Sequence, residues 1–292
     1  MIKQLVRNEV LRRLEQGVSG EQLRKEISVS SAYISNIRKG EMDHISDSKI
    51  REMAKALNIS LSDWFVVKTK SYKSIFAVCE EAQNHKRLLA IVGGTGQGKT
   101  TALRKYKSEN EVNCFYVHCN VLMNKNDFLT EILRSMREDT KGKAIEKLQR
   151  ICSVLIKTKD ACLILDDFGK VKDSILQILQ LIYDEIEGRA GIVIAGTEYL
   201  KTYIDKMCSK DKLGFREMNR RIGLWKELTK LSSKEAKIIA KGRGISEPNA
   251  INYIIRVCQN LGTLKELLTN AERLANGNEV TFDVLKLVNE GV

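Results

Sequence analysis

The stretch Leu88-Leu89-Ala90-Ile91-Val92-Gly93-Gly94-Thr95-Gly96-Gln97-Gly98-Lys99-Thr100-Thr101 decides the reading of this chain. Five apolar residues run into a glycine-rich segment, and a helix-compatible run over 102–107 follows. Gly93, four intervening residues and then Gly98-Lys99-Thr100 have the spacing of a phosphate-binding loop. Each residue type has a physical role. Glycines let the backbone wrap closely around phosphate oxygens, with positive φ where the curve needs it. The loop then aims several N–H groups and a helix N-terminus at the anion. Lys99 is expected to place a point charge on the β and γ phosphates, and the Thr100 hydroxyl to ligate Mg²⁺. The stretch 93–101 therefore implies a nucleoside triphosphate site and leaves its use open.

Downstream, 113–118 reads as a second strand and helical patterns follow near 127–137 and 144–157. At Ala161-Cys162-Leu163-Ile164-Leu165-Asp166-Asp167 a buried strand runs into two acids, the Walker B arrangement. It would deliver Asp166 to the Mg²⁺ shell beside Thr100. Asp167 would stand where a carboxylate can orient or activate the attacking water. A helix over 171–187 leads to a further buried strand, 191–195, ending in Gly196-Thr197. An arginine-rich segment, Phe215-Arg216-Glu217-Met218-Asn219-Arg220-Arg221-Ile222, comes next. The C-terminal region reads as four helices over 232–241, 247–259, 263–276 and 282–290. Ser246 and Thr281 are expected N-caps, Pro248 sits in a first turn, and Gly277 is expected to end its helix.

Upstream, residues 2–15 form an amphipathic pattern closed by Gly17. Ser19 or Gly20 can cap a short helix through Ile27, and Ser30 the next, 31–39, stopped by Gly40. Ser46 starts a fourth, and Ser60 caps a last turn over 61–65. The polar, basic stretch 66–73 reads as a domain boundary, followed by a helix over 74–84. The expected domains are 1–66, 67–230 and 231–292.

Composition narrows the partners. Of 292 residues, 49 are Lys or Arg and 37 Asp or Glu, a formal net charge of +12. The excess is spread: residues 1–70 hold 13 basic and 9 acidic side chains, and the remainder 36 and 28. A basic balance over the whole chain fits a polyanion touched by more than one part of the protein; solvated charged faces are the plainer reading. Seven cysteines show no CxxC or Cys/His metal spacing, which points to reduced thiols. The N-terminus has no signal-peptide apolar region and no run is long enough for a membrane span. The expectation is a cytoplasmic protein with no membrane partner.

Two resemblances rest on these residues. The stretch "VSSAYISNIRKGE…KIREMAKALNIS" resembles helix-turn-helix domains of the Cro/C1-repressor type, with Ile34, Ile37, Ala54 and Leu57 at core positions. The resemblance places the helix over 31–39 in the major groove of double-stranded DNA. Ser31, Tyr33, Asn36, Arg38 and Lys39 would then reach bases or phosphates. Arg38 stands where many members carry Glu, which favours phosphate contact. A helical interaction module without DNA contact is the alternative.

The order of helix-turn-helix, P-loop, "LILDDFG", "AGT", arginine-rich segment and helical lid resembles AAA+ ATPases of the family typified by transposition protein B of phage Mu. The core is also similar to transposon ATPases of the IstB and TnsC/TniB types. The resemblance implies an α/β class: a parallel sheet flanked by helices, an N-terminal all-α domain and a C-terminal helical lid. It implies ATP and Mg²⁺. Thr197 would be the γ-phosphate sensor at a strand end. Arg221, with Arg220 and Arg216 as seconds, would be the arginine finger that reaches a neighbouring subunit's nucleotide. Lys265 in Gly262-Thr263-Leu264-Lys265 would be the second sensor, although the family usually has Arg there. It further implies ATP-dependent, sequence-tolerant DNA binding, helical self-assembly on target DNA, stimulation of a DDE transposase and target immunity. Local basicity makes Lys125, Arg137, Lys141 and Lys143 candidate DNA contacts. A helicase loader, or a transcriptional regulator with an ATP switch, are the alternatives.

Overall fold

The computed structural model describes residues 2–42, 45–57, 67–276 and 278–291. The expected turn over 61–65 with its Ser60 cap, the boundary residue Val66 and the stop at Gly277 lie outside them. The chain falls into two compact units. One comprises Met1–Phe65, Ser232–Gln259 and Thr263–Val292, and the other Val66–Leu231 with Asn260–Gly262.

The first unit opens with four helices, α1 (Ile2–Glu15), α2 (Gly20–Glu26), α3 (Ser31–Lys39) and α4 (Asp47–Ala56). Ser19 caps α2 in a reciprocal box with Gln22, and Gly40 ends α3 at φ 86°. Val6, Val10, Leu23, Ile34, Ile37, Met53, Ala54 and Leu57 share one core. Arg13 ties three helices together at its rim. It pairs with Glu9 and Glu26 and donates to the Leu57 carbonyl at 2.8 Å.

The second unit is built on a sheet buried on both sides. Helix α5 (Lys70–His85) precedes β1 (Leu88–Val92) and α6 (Lys99–Glu109). Then come β2 (Cys114–His118), α7 (Lys125–Ser135), α8 (Ala144–Lys157) and β3 (Cys162–Asp166). A 3₁₀ turn (Phe168–Lys170) leads to α9 (Asp173–Ile186) and β4 (Gly191–Gly196). Helices α10 (Glu198–Ser209) and α11 (Phe215–Arg221) precede β5 (Ile222–Glu227). The strands run parallel in the order β2-β3-β4-β1-β5. Apolar alternation across β1 feeds both faces. Leu88, Ala90 and Val92 pack with α7, α8 and α9, and Leu89 and Ile91 with α5 and α6.

Two stretches differ from expectation. Helix α5 starts at Lys70, because Thr69 caps it by accepting from the Tyr72 N–H at 3.1 Å. Residues 222–227 form an edge strand beside β1, with Gly223 and Leu224 exposed, so no clean alternation announces it.

The C-terminal helices are α12 (Ser233–Gly242), α13 (Pro248–Val257), α14 (Leu261–Ala275) and α15 (Phe282–Glu290). Thr281 caps α15 as expected. Ser246 does not cap α13. Glu247 takes that position with Pro248 behind it, and the Ser246 hydroxyl donates to Glu279 Oε1 at 3.2 Å.

Candidate nucleotide site and DNA-facing helix

Parallel strands β1, β3 and β4 end together. Val92 is level with Gly196, and Leu165 with Ile194. The loop after β1, the acids after β3 and Thr197 after β4 therefore meet at one sheet edge, where open α/β folds take ligands. The Gly93 N–H donates to the Gly196 carbonyl at 3.2 Å and the Leu228 N–H to the Val92 carbonyl at 2.8 Å, so neighbouring strands fix the start of the loop.

The loop is a tight cradle. Gly96 and Gly98 adopt φ of 78° and 81°. A Cβ on Gly93 would stand 2.1 Å from Gln97 Oε1 and 2.9 Å from Leu228 Cβ. Gly98 is the N-cap of α6 and has no side chain to cap it. The first N–H groups of α6 thus face the cradle without a side-chain acceptor, which suits an anion. Gln97 Oε1 is buried without a hydrogen-bond partner. Gly94, Thr95, Thr100 and Thr101 complete the loop and the first turn of α6, with Thr95 and Thr101 exposed. The start of α14 closes one flank: the Gly262 N–H donates to the Gly96 carbonyl at 3.0 Å.

Lys99 is buried and its Nζ donates to the Gly93 and Gly94 carbonyls at 2.6 and 2.9 Å. Burial pushes its ammonium below the ordinary lysine range, against the opposing pull of Asp166, Asp167 and Glu198. The two acids sit in different surroundings. Asp166 is fully buried. Its Oδ2 accepts from the Tyr116 hydroxyl at 2.8 Å and its Oδ1 from the Asp167 N–H at 3.0 Å. Asp167 is partly exposed at φ 56°, and its Oδ2 lies 2.6 Å from Lys170 Nζ. The His118 ring spans the pair, with Nδ1 3.7 Å from Asp166 and Nε2 3.8 Å from Asp167. Thr197 is the N-cap residue of α10, yet its side chain makes no capping bond.

These residues fit a nucleotide with a divalent cation. The loop leaves no room for a Cβ at Gly93 or Gly96, the Lys99 ammonium and the uncapped start of α6 belong to it, and the buried Asp166 carboxylate acts on that ammonium. Among the described residues no cluster of three or more His, Cys, Asp or Glu side chains could hold a metal. Thr100 and Asp166 would hold Mg²⁺ together with phosphate oxygens, as that ion prefers. Motif reading missed Tyr116, His118, Arg104 and Lys170. Strand period was the available signal for the first two, since positions two apart on β2 share a face. Arg104 donates from α6 to the Tyr116 hydroxyl at 3.3 Å, a contact that sequence spacing does not announce.

The three arginines separate. Arg221 lies against its own domain, 17% exposed, with Nε 2.7 Å from Asp184 Oδ1 on α9. That pair holds α11 to α9, and Arg221 Nη1 is buried without a hydrogen-bond partner. Arg216 is exposed and pairs with Asp211 at 3.1 Å. Arg220 is exposed and has no ion pair among the described residues. Lys265 lies on α14, in the other unit.

On α3, Ser31, Arg38 and Lys39 are exposed, while Tyr33 and Asn36 are half-buried. Ser31, Ser35 and Arg38 line a groove with Glu21 and Arg24 of α2. Arg7 donates to the Ile37 and Arg38 carbonyls at 3.2 and 3.4 Å, fixing the end of α3. Lys125, Arg137, Lys141 and Lys143 are all exposed but not gathered. Lys125 begins α7 and Arg137 lies just past its end, about 18 Å apart along the axis at the helical rise.

Fold and site together define a P-loop protein of the AAA type that carries an N-terminal helix-turn-helix domain. The AAA domain family matches residues 80–204 and the helix-turn-helix family residues 11–64. The resemblance to transposition protein B of Mu-like phages holds along the chain. It is 21% identical over 283 residues to the Mu-like prophage FluMu DNA transposition protein B of Haemophilus influenzae, covering 91% of this chain and 94% of that one. It is 22% identical over 226 residues to the ATP-dependent target DNA activator B of Escherichia phage D108, covering 75% and 71%. Among solved structures, the ORC2 protein of Aeropyrum pernix in ADPNP–ADP complexes superimposes with a TM-score of 0.59 at 17% identity, covering 78% of this chain and 69% of that one. That likeness is one of fold. Among the described residues no helix is long and apolar enough to cross a membrane.

Proposed function

We propose that this chain is an ATPase of DNA transposition that binds double-stranded DNA when ATP is bound, with little sequence preference. It would assemble as helical filaments on target DNA in the cytoplasm of a bacterial host. There it would deliver the target to a DDE transposase and activate it, and hydrolysis would release it and so contribute to target immunity. The observation that carries this reading is the end-to-end similarity to a Mu-like transposition protein B, together with a P-loop cradle whose acids and lysine meet at one sheet edge.

In this reading residues 93–101 hold the triphosphate, Lys99 contacts its β and γ phosphates, and Thr100 and Asp166 hold Mg²⁺. The ion would neutralise charge on the phosphates. Asp167 orients the attacking water. The water oxygen bonds to the γ-phosphorus as the bond to the bridging oxygen breaks, ADP leaves, and the water's proton passes to the Asp167 carboxylate. Thr197 reads the γ-phosphate, and Arg220 reaches the neighbouring subunit's nucleotide. An arginine supplied in trans makes turnover depend on assembly. Lys265 acts as the second sensor. The exposed cations of α3 and of the α7–α8 region contact phosphates, which makes binding salt-sensitive.

Electron microscopy of the protein with random-sequence duplex DNA tests this. Regular filaments should appear with ATP and be absent without it, and absent with the Lys99→Ala variant, which should no longer bind ATP. Bare DNA in both conditions, or a footprint confined to one operator sequence, would overturn it and favour an ATP-switched regulator.

A further inference from the structure

Helix α11 carries three arginines on seven residues, and both its ends are tied to α9. At the far end Arg221 pairs with Asp184. At the near end the chain leaves α10 through a turn with two left-handed residues, Asp211 at φ 52° and Gly214 at φ 85°. Leu213 in that turn is 83% exposed, so apolar packing does not hold it. Asp173, the first residue of α9, does. Its Oδ2 pairs with Lys212 Nζ in the turn, and its Oδ1 accepts from the Tyr203 hydroxyl of α10 at 2.7 Å. The Tyr203 and Phe215 rings meet edge to face with centroids 5.9 Å apart, and Lys212 Nζ stands 5.6 Å from the centre of the Phe215 ring. One carboxylate therefore joins α9, α10 and the entry to α11.

Both oxygens of Asp173 are used, by partners on different elements. Burial opposes its ionisation, yet the bonds from Lys212 and Tyr203 hold the carboxyl below the ordinary aspartate range. Burial, and then Asp173, push the Tyr203 hydroxyl up to about 12, so it stays a donor at neutral pH. A helix as short as α11 does not hold itself, so its orientation comes from these ties and from its buried side, Phe215 and Met218. Arg216 and Arg220, one turn apart, share the exposed side. The helices that fix this side both leave the nucleotide edge of the sheet: α9 follows the 3₁₀ turn after Asp167, and α10 starts directly after Thr197.

We propose that Asp173 is a positioning residue for the arginine segment: it fixes the α10–α11 turn through Lys212 and Tyr203, and so aims an α11 arginine at the nucleotide of a second copy of the chain. The proposal rests on the reading that such an arginine acts across subunits.

The test uses the full chain with Asp173→Ala, Lys212→Met, Lys212→Arg and alanine variants of Arg216, Arg220 and Arg221. Lys212→Met keeps an apolar stem beside Phe215 and removes the charge. Asp173→Ala and Lys212→Met should lower the kcat of DNA-stimulated ATP hydrolysis by about tenfold or more, the cost of a small misplacement. The DNA-free kcat and the KM for ATP should stay within about twofold, and Lys212→Arg should keep wild-type stimulation. A merely structural defect would lower both rates together. Combining Asp173→Ala with the arginine variant that abolishes stimulation should add no further loss. Full stimulation in Asp173→Ala and Lys212→Met, equal losses with and without DNA, or additive losses in the combined variant would overturn the positioning role. Full stimulation in all three arginine variants would instead overturn the reading of α11, so the two failures are distinguishable.

Discussion

The Tyr116 hydroxyl donates to Asp166 Oδ2 at 2.8 Å, joining the middle of β2 to the buried acid at the end of β3. Burial, and then Asp166 itself, push the Tyr116 hydroxyl well above the usual tyrosine range. It therefore stays protonated, as a donor, at any physiological pH. Donors of this kind orient a carboxylate for its metal, and their loss typically costs about 10–100-fold in metal affinity or activity. Tyr116→Phe should raise the Mg²⁺ concentration that half-saturates hydrolysis by about tenfold. ATP affinity measured without Mg²⁺ should be unchanged. A Mg²⁺ titration of ATP turnover measures the first quantity, and an unaltered curve would remove Tyr116 from the site.

The arginine segment gives a paired expectation. Arg221 is folded onto Asp184, so Arg221→Ala should lower stability by about 1–2 kcal/mol through lost packing and an orphaned acid. Arg220 is exposed, and Arg220→Ala should leave the unfolding midpoint within about 0.5 kcal/mol of wild type. If Arg220 acts on a neighbour's nucleotide, the same variant should lose assembly-stimulated hydrolysis by on the order of 10³-fold. It should keep ATP binding. Thermal unfolding and DNA-stimulated ATPase assays on both variants separate the roles. Full stimulation in Arg220→Ala would leave Arg221 and Arg216 as the remaining candidates.

How far the sequence carried the structure depends on which residues state their surroundings. The cradle and the two acids were legible because glycines, a lysine and paired carboxylates have few other uses at that spacing. Strands β1, β3 and β4 were legible as short apolar runs, since parallel strands buried on both faces carry no polar alternation. Strand β5 was not. It lies at the sheet edge, and Ile222-Gly223-Leu224-Trp225-Lys226-Glu227 mixes buried and exposed positions without a period. The different surroundings of Arg221 and Arg220 were not legible for another reason. Neighbours on a helix point about 100° apart, and only the placement of α9 shows which one meets Asp184. Tyr116 and Lys170 contact acids that sit 50 and 3 residues away. The first separation gives no local signal, and the second depends on the positive φ at Asp167.

Arg38 lies exposed near the end of α3, in the groove shared with Arg24. A cation in that place adds phosphate attraction without a base code of its own. Arg38→Ala should weaken binding about equally on unrelated duplexes, and should reduce the slope of log affinity against log salt by about 1. Fluorescence anisotropy on several random sequences across a salt series measures both. Loss on one sequence alone would mark Arg38 as a base reader and the domain as an operator-binding module.

The helix-turn-helix unit should carry its own acid sensitivity through Glu9. The Arg12 guanidinium, with Arg13 beside it, holds the Glu9 carboxyl at about 2, down from 4.5, against the opposing effect of burial. A group depressed on folding stabilises the native state above its unfolded value. That contribution fades as pH falls from about 4.5 towards about 2 and is absent below both. Arg12 is 56% exposed, so solvent screening weakens the pair network at neutral pH. Glu9→Gln should therefore be less stable than wild type at pH 7, with the difference closing as pH falls below about 4. Urea titrations followed through α1–α4 amide signals at stepped pH measure it. A difference that persists undiminished at pH 3 would show that Glu9 acts by packing and not by charge.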